Sequence, residues 1–226
     1  KGIMVSMPEK KSLKQQAYNE IKRKIICCEY APGTLLNEEL LRSELHVSRT
    51  PIRDALGRLE QEGLITIRPK KGIVVADMSI NDINMVFEVR MMYEPYALLN
   101  YGAQLSYEQL THFYGVLTDL TAITDEHDYF LADDAFHAAV IHTMGNRYLA
   151  QSYEWIHDQS LRFRVLTGQA NAPRLEDTVK EHTKILTAAL KQDWKKAAAA
   201  MEEHLLASKD ATFDLLFSKM DARETI

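Results

Sequence analysis

Apolar residues recur four apart at Leu13, Ala17, Ile21 and Ile25, which marks one face of a helix over 13–28. Ala31-Pro32-Gly33 is a turn signal that ends it. Asn37 stands where an N-cap would start a second, short helix carrying Leu40, Leu41 and Leu45. His46-Val47 leaves room for a tight connection only. Ser48 is then the expected cap of a third helix reaching Glu62, with Gly63 just past its end. Val47 and Ile52 have the spacing of a hydrophobic staple around that start. Two short β runs follow, at 64–67 and 73–75, joined by a charged segment containing Pro69 and Gly72. Three helices followed by a β-hairpin is the order of a winged helix-turn-helix, expected over 10–76.

Beyond residue 76 the pattern is helical throughout. Ser79-Ile80-Asn81-Asp82 reads as a capping box with Asp in place of Glu. Helical spacing predicts segments at 82–103, 106–123, 126–144, 147–167, 174–191 and 193–217, with no strand and no internal repeat. The expectation is a mainly α protein: a winged helix-turn-helix, a linker near 76–80, and an all-α six-helix bundle over 80–218.

Charge sharpens the division. The chain has 226 residues and a net charge of −5, yet residues 1–76 carry 14 Lys+Arg against 9 Asp+Glu, and the remainder 13 against 23. A basic head on an acidic body suits nucleic-acid binding by the first part. No apolar run approaches the roughly 20 residues of a membrane helix. The first ten residues are basic but lack an apolar core, which argues against a secretory signal. The two cysteines, Cys27 and Cys28, are adjacent and poorly placed to bridge, so a reducing, cytoplasmic setting is expected.

The start of the third helix carries candidate chemistry. A recognition helix offers its first-turn side chains to the major groove. Arg49 can reach a guanine edge with two donors, and Arg53 lies one turn on along the same face. The hydroxyls of Ser48 and Thr50 suit phosphate oxygens, as do the free N–H groups of a helix start. Pro51 is tolerated because the first turn needs no amide donor. Lys70, Lys71 and Gly72 form a basic, narrow wing able to follow the DNA backbone or minor groove.

A second group lies in the bundle. Asp133 and His137 are one turn apart, on the inward stripe of Phe130, Val140 or Ile141, and Met144. His182 falls on the stripe of Val179, Leu186 and Ala189, and His204 on that of Met201, Ser208 and Ala211. Each histidine alone reads as a satisfied core residue. Together, three helices point metal-compatible groups inward, where unpartnered polar groups are costly. Three imidazoles and a carboxylate suit a divalent ion such as Zn²⁺, Ni²⁺ or Mn²⁺. His112, His127, His142 and His157 have no partner legible in the sequence.

Residues 13–75 resemble the winged helix of the GntR family of bacterial regulators. The resemblance rests on Pro32-Gly33, on Val-Ser-Arg-Thr-Pro-Ile-Arg-Asp-Ala-Leu at 47–56, on Leu59-Glu60-Gln61-Glu62-Gly63-Leu64-Ile65, and on Gly72. One departure is Glu39, where some relatives carry an arginine that contacts phosphate. Residues 82–217 look like the FCD effector domain of the FadR subfamily. Its pattern is met by Asp133, Phe136 and His137, by Glu181-His182, and by Glu203-His204. Arg90-Met-Met-Tyr93-Glu94-Pro-Tyr96-Ala97 is similar to its first-helix pattern, with Tyr93 replacing Leu. The resemblance implies a metal in the bundle facing a small effector, often a carboxylate. It implies a homodimeric regulator, expected to repress from an inverted-repeat site in double-stranded DNA. Arg90, Arg162 and Arg164 are candidates to meet the effector, although Arg90 could equally pair with Glu94, and a salt-bridged or solvated role is as good a reading for each. Two alternatives stay open: a metal-dependent hydrolase or lyase joined to a DNA-binding head, and a sensor of the metal itself.

Overall fold

The computed structural model describes residues 12–68, 72–122, 126–170 and 172–224. The chain divides into two compact units, residues 1–77 and 78–226.

In the first unit, α1 (Leu13–Ile26) buries Ala17, Tyr18, Ile21 and Ile25, and the Ser12 side chain accepts from the Gln15 N–H at its start. Asn37 caps α2 (Glu38–Leu45) by accepting the Leu40 N–H at 2.7 Å. His46, in the left-handed region at φ 53°, turns the chain towards α3 (Arg49–Gln61). The Ile52, Ala55, Leu56 and Leu59 face of α3 is buried, and α3 packs on α1. The Tyr18 hydroxyl, donating to Glu62 at 2.7 Å, also ties α1 to the end of α3. The hairpin forms from β2 (Ile65–Arg68) and β3 (Gly72–Val75), with Arg68 opposite Gly72. A strand that the pattern does not predict, β1 (Leu35–Leu36), pairs with the other edge of β3 and makes the order β1-β3-β2. Two residues are too few to show a period, so only pairing defines it. Gly72 sits at φ +96°, and a Cβ there would lie 3.1 Å from the Leu35 side chain, so the wing's base needs glycine.

The second unit is helical among the described residues: α4 (Ile80–Tyr101), α5 (Tyr107–Leu117), α6 (Glu126–His142), α7 (Arg147–Ala170), α8 (Ala172–Leu190) and α9 (Trp194–Glu224). The Ser79–Asp82 capping box is present in both directions. The predicted segment 106–123 is shorter as a helix. Asp119 accepts the Thr121 N–H, and the chain leaves the helix for a 3₁₀ turn at Leu120–Ala122. Helix α4 packs on α9, α9 on α8, and α6 on α7. Ile83, Val86, Phe87, Ile141, Tyr153, Ile156 and Phe163 form a shared core. No helix of the described residues is long and apolar enough to cross a membrane.

One close approach makes a prediction. A Cβ on Gly102 would lie 2.3 Å from Cε3 of the Trp194 ring at the start of α9. A ring edge cannot fold away as a flexible tail can. Gly102→Ala should therefore lower stability by about 1–3 kcal/mol, read as a reduced urea midpoint. An unchanged midpoint would mean the ring moves aside freely.

Candidate metal centre and nucleic-acid surface

Helix α6 presents Asp133 and His137 one turn apart, α8 presents His182, and α9 presents His204. All four are essentially buried. One ligand atom from each lies within 4.8 Å of every other. His137 Nε2 and His182 Nε2 approach Asp133 Oδ1 to 3.1 and 3.0 Å. Even so, Asp133 Oδ1 and the three Nε2 atoms have no hydrogen-bond partner among the described residues. Four buried ligand atoms converge without a hydrogen-bond partner, and a cation is the partner that would satisfy all four.

The other side of two of the imidazoles explains that aim. Glu94 Oε2 lies 2.5 Å from His137 Nδ1, and Glu181 Oε2 lies 2.7 Å from His204 Nδ1. An ionised carboxylate only accepts, so Nδ1 carries the proton and Nε2 keeps its lone pair. His182 Nδ1 faces the Tyr129 hydroxyl at 3.3 Å. The carboxylates are themselves held. Glu94 accepts from Arg90 Nε at 2.6 Å and from the Tyr153 hydroxyl. Glu181 takes a two-pronged pair from Arg174 at 2.7 and 2.8 Å.

Burial alone would raise the Glu94 carboxyl, but Arg90 and then His137 hold it well below the usual range. Burial also opposes ionisation of Asp133, and Arg164, His182 and His137 outweigh it. Glu181 is brought to about 2 against its burial, by His204 and Arg174. Burial pushes the His204 imidazole down to about 3, against the Glu181 hydrogen bond and with help from His182 and His137. Charged Asp133, Glu94 and Glu181 and a neutral His204 are thus favoured, the forms that suit a metal site.

A small pocket with a cavity volume of about 30 Å³, partly open to solvent, reaches Asp133 and His204. Of the three arginines expected near an effector, Arg164 stands on its wall, paired with Asp133 at 3.2 Å and with Asp134. Arg90 and Arg162 are not on that wall. Arg90 is committed to Glu94, and Arg162 is buried with one nitrogen donating to Gln159 at 3.1 Å. The wall also holds Arg174, which the sequence reading passed over. Its signal was available: Arg174 and Glu181 are seven apart, two turns along one helix face. His157, read as partnerless, lies 3.0 Å from Asp134.

In the first unit, Ser48, Arg49, Thr50 and Arg53 are exposed together at the start of α3. Ser48 stands at the N-cap position but makes no capping bond, which leaves its hydroxyl available. Arg53 Nε donates to Glu38 at 3.0 Å. Pro51 is buried, so it shapes the helix start and offers little surface. Gly72 opens β3, while Lys70 and Lys71 lie outside the described residues.

The model of the gntR family of bacterial regulatory proteins matches residues 13–75, and that of the FCD domain matches residues 85–207. The chain is a GntR-family transcriptional regulator with an FCD domain. The HTH-type transcriptional repressor GlaR of Escherichia coli (strain K12) is 30% identical to this GntR-family regulator over 202 residues, 84% of this chain and 90% of that one. The gluconate operon transcriptional repressor of Bacillus licheniformis is 25% identical over 74% of this chain and 68% of its own length. Among solved structures, E. coli McbR/YncC shares the fold with a TM-score of 0.78 at 19% identity, covering 91% of this chain and 99% of that one. The Zn²⁺-bound FCD domain of TM0439 aligns with a TM-score of 0.53 at 25% identity, over 63% of this chain and 99% of that one. The matched families and relatives are transcription regulators and not enzymes, so the hydrolase or lyase alternative falls away for this GntR-family regulator.

Proposed function

We propose that this regulator is a homodimeric repressor of the FadR subfamily. Residues 10–76 read an inverted repeat in double-stranded DNA, and a small carboxylate bound at a divalent metal in residues 80–218 controls that binding. The observation that carries the reading is the convergence of four buried, otherwise unpartnered ligand atoms on one point. Asp133, His137, His182 and His204 would hold the ion, which supplies a Lewis-acid centre for a carboxylate oxygen when bound. Glu94 and Glu181 orient two of the imidazoles, and Arg174 brings positive charge to the pocket wall beside them. A dimer is expected because one small winged helix buries too little surface for useful specificity, and two-fold symmetry doubles the contacts. The test is calorimetry of short carboxylates on zinc-loaded and on chelated protein. Binding should require the metal, and the bound acid should change affinity for DNA selected on the full chain. Acid binding that ignores chelation would remove the metal from the effector site.

The DNA-facing roles separate by mutation. Arg49→Ala should weaken specific binding by about 1–3 kcal/mol through loss of a base contact. Lys71→Ala should weaken specific and non-specific binding alike, lowering the slope of log K against log salt by about one. Anisotropy titrations at several salt concentrations read both, and equal loss of discrimination from the two changes would contradict the assignment.

A further inference from the structure

The pocket beside the metal centre is lined by two chemically different sets of groups. From this we infer that the effector is a monocarboxylate with an apolar body, a short alkyl or aryl-alkyl chain, and not a polyhydroxylated acid. The inference rests on the reading of the centre as an effector site.

The charged and strongly polar part of the lining is Asp133, Arg164, Arg174, His204 and Ser208, and with an ion held by Asp133 and His204 it would suit a carboxylate. The remaining wall is dominated by apolar groups. Phe87 and Phe163 stack nearly parallel, with centroids 6.3 Å apart, and Phe130 and Leu175 extend the same lining. Three threonines also line the pocket, but each has committed its hydroxyl proton to its own helix. Thr167 donates to the Phe163 carbonyl at 2.5 Å, Thr178 to the Arg174 carbonyl at 2.8 Å, and Thr212 to the Ser208 carbonyl at 2.7 Å. A threonine so committed offers a ligand an acceptor oxygen and a methyl group, but no donor.

The apolar character continues beyond this pocket. A second, smaller cavity of about 20 Å³, partly open to solvent, shares Phe163 and Thr212 with the first. Its other lining residues are Met78, Ile83, Leu166, Leu215 and Leu216, all apolar.

A polyhydroxylated chain laid along these walls would surrender water at every hydroxyl. It would find donors only at the two arginines and at Ser208, and the remaining hydroxyls would be poorly matched. An alkyl or aryl body gains from leaving water on the same surface. The pocket therefore selects by what is attached to the carboxylate.

Calorimetry on the zinc-loaded full chain with hexanoate, gluconate, acetate and 1-hexanol tests this, since three of the probes share one chain length. Hexanoate should bind at least roughly tenfold tighter than gluconate and tighter than acetate, because each buried methylene adds to affinity. The alcohol should show no measurable binding. Leu175→Gln should keep its zinc by elemental analysis and narrow the gap between hexanoate and acetate. Gluconate binding as tightly as hexanoate overturns the inference and leaves the effector-site reading intact. Hexanoate binding unchanged by chelation, or no binding by any acid, overturns the effector-site reading and the inference with it.

Discussion

His182→Ala should empty the metal centre. His182 is fully buried on α8, and its Nε2 is one of the four convergent atoms. Alanine leaves two imidazoles and one carboxylate, and no other described His, Cys, Asp or Glu joins the group. Purified wild-type protein is expected to hold about one divalent ion per chain, and the variant a small fraction of that, as affinity falls with each lost ligand. His157→Ala is the matched control. His157 meets Asp134 on α6 and is outside the convergent set, so metal content should not change. Chelating the wild type should also lower its thermal midpoint. An ion present at 100 times its Kd adds about 2.7 kcal/mol to the folded state, and its removal withdraws that. Elemental analysis of the three proteins, with melting curves before and after chelation, reads every arm. Full metal in His182→Ala would show that the four residues are not the ligand set.

Glu94→Ala is expected to do the most damage to the fold. Glu94 is wholly buried and accepts from three partners at once: Arg90, His137 and Tyr153. Removing it strands the Arg90 guanidinium, itself 1% exposed, in the bundle without its countercharge. Breaking one side of a buried ion pair in this way typically costs about 3–5 kcal/mol, far more than a surface pair. It also frees the His137 ring from the carboxylate that fixes its proton on Nδ1, so metal affinity should fall roughly 10–100-fold. Urea denaturation measures the first effect and a competitive zinc titration the second. Glu94→Gln keeps the shape and one acceptor oxygen but removes the charge. It should fold better than the alanine variant while still binding zinc more weakly than wild type. Stability within about 1 kcal/mol of wild type for Glu94→Ala would show that Arg90 finds another partner at little cost.

The DNA-reading head was legible largely because its signals are local. A cap at Asn37, a turn at His46 and exposed side chains at Arg49 and Arg53 depend on neighbours a few residues away, and one-dimensional spacing records them. Its lapses have the same root. Strand β1 is two residues long and exists only through its pairing with β3, and α5 ends early because Asp119 competes locally for the Thr121 amide.

The metal centre shows where spacing stops. Helical period by itself put Asp133 and His137 on one face and turned His182 and His204 inward on their own helices. It could not say that α6, α8 and α9 meet, because the distance between helices is set by the side chains packed between them and leaves no period in the chain. Only the tertiary structure brought the four ligand atoms within 4.8 Å. The arginines illustrate the point most sharply. Arg90, Arg162, Arg164 and Arg174 are alike as letters, yet Arg90 is bound to Glu94 and does not line the pocket, and Arg174 stands on its wall. The sequence by itself determined the helix order, the turn before α3 and the inward phase of the four bundle residues, since these follow from local geometry. The fold decided which inward groups share one point and which charges are already paired, because burial and partnership belong to contacts between distant segments.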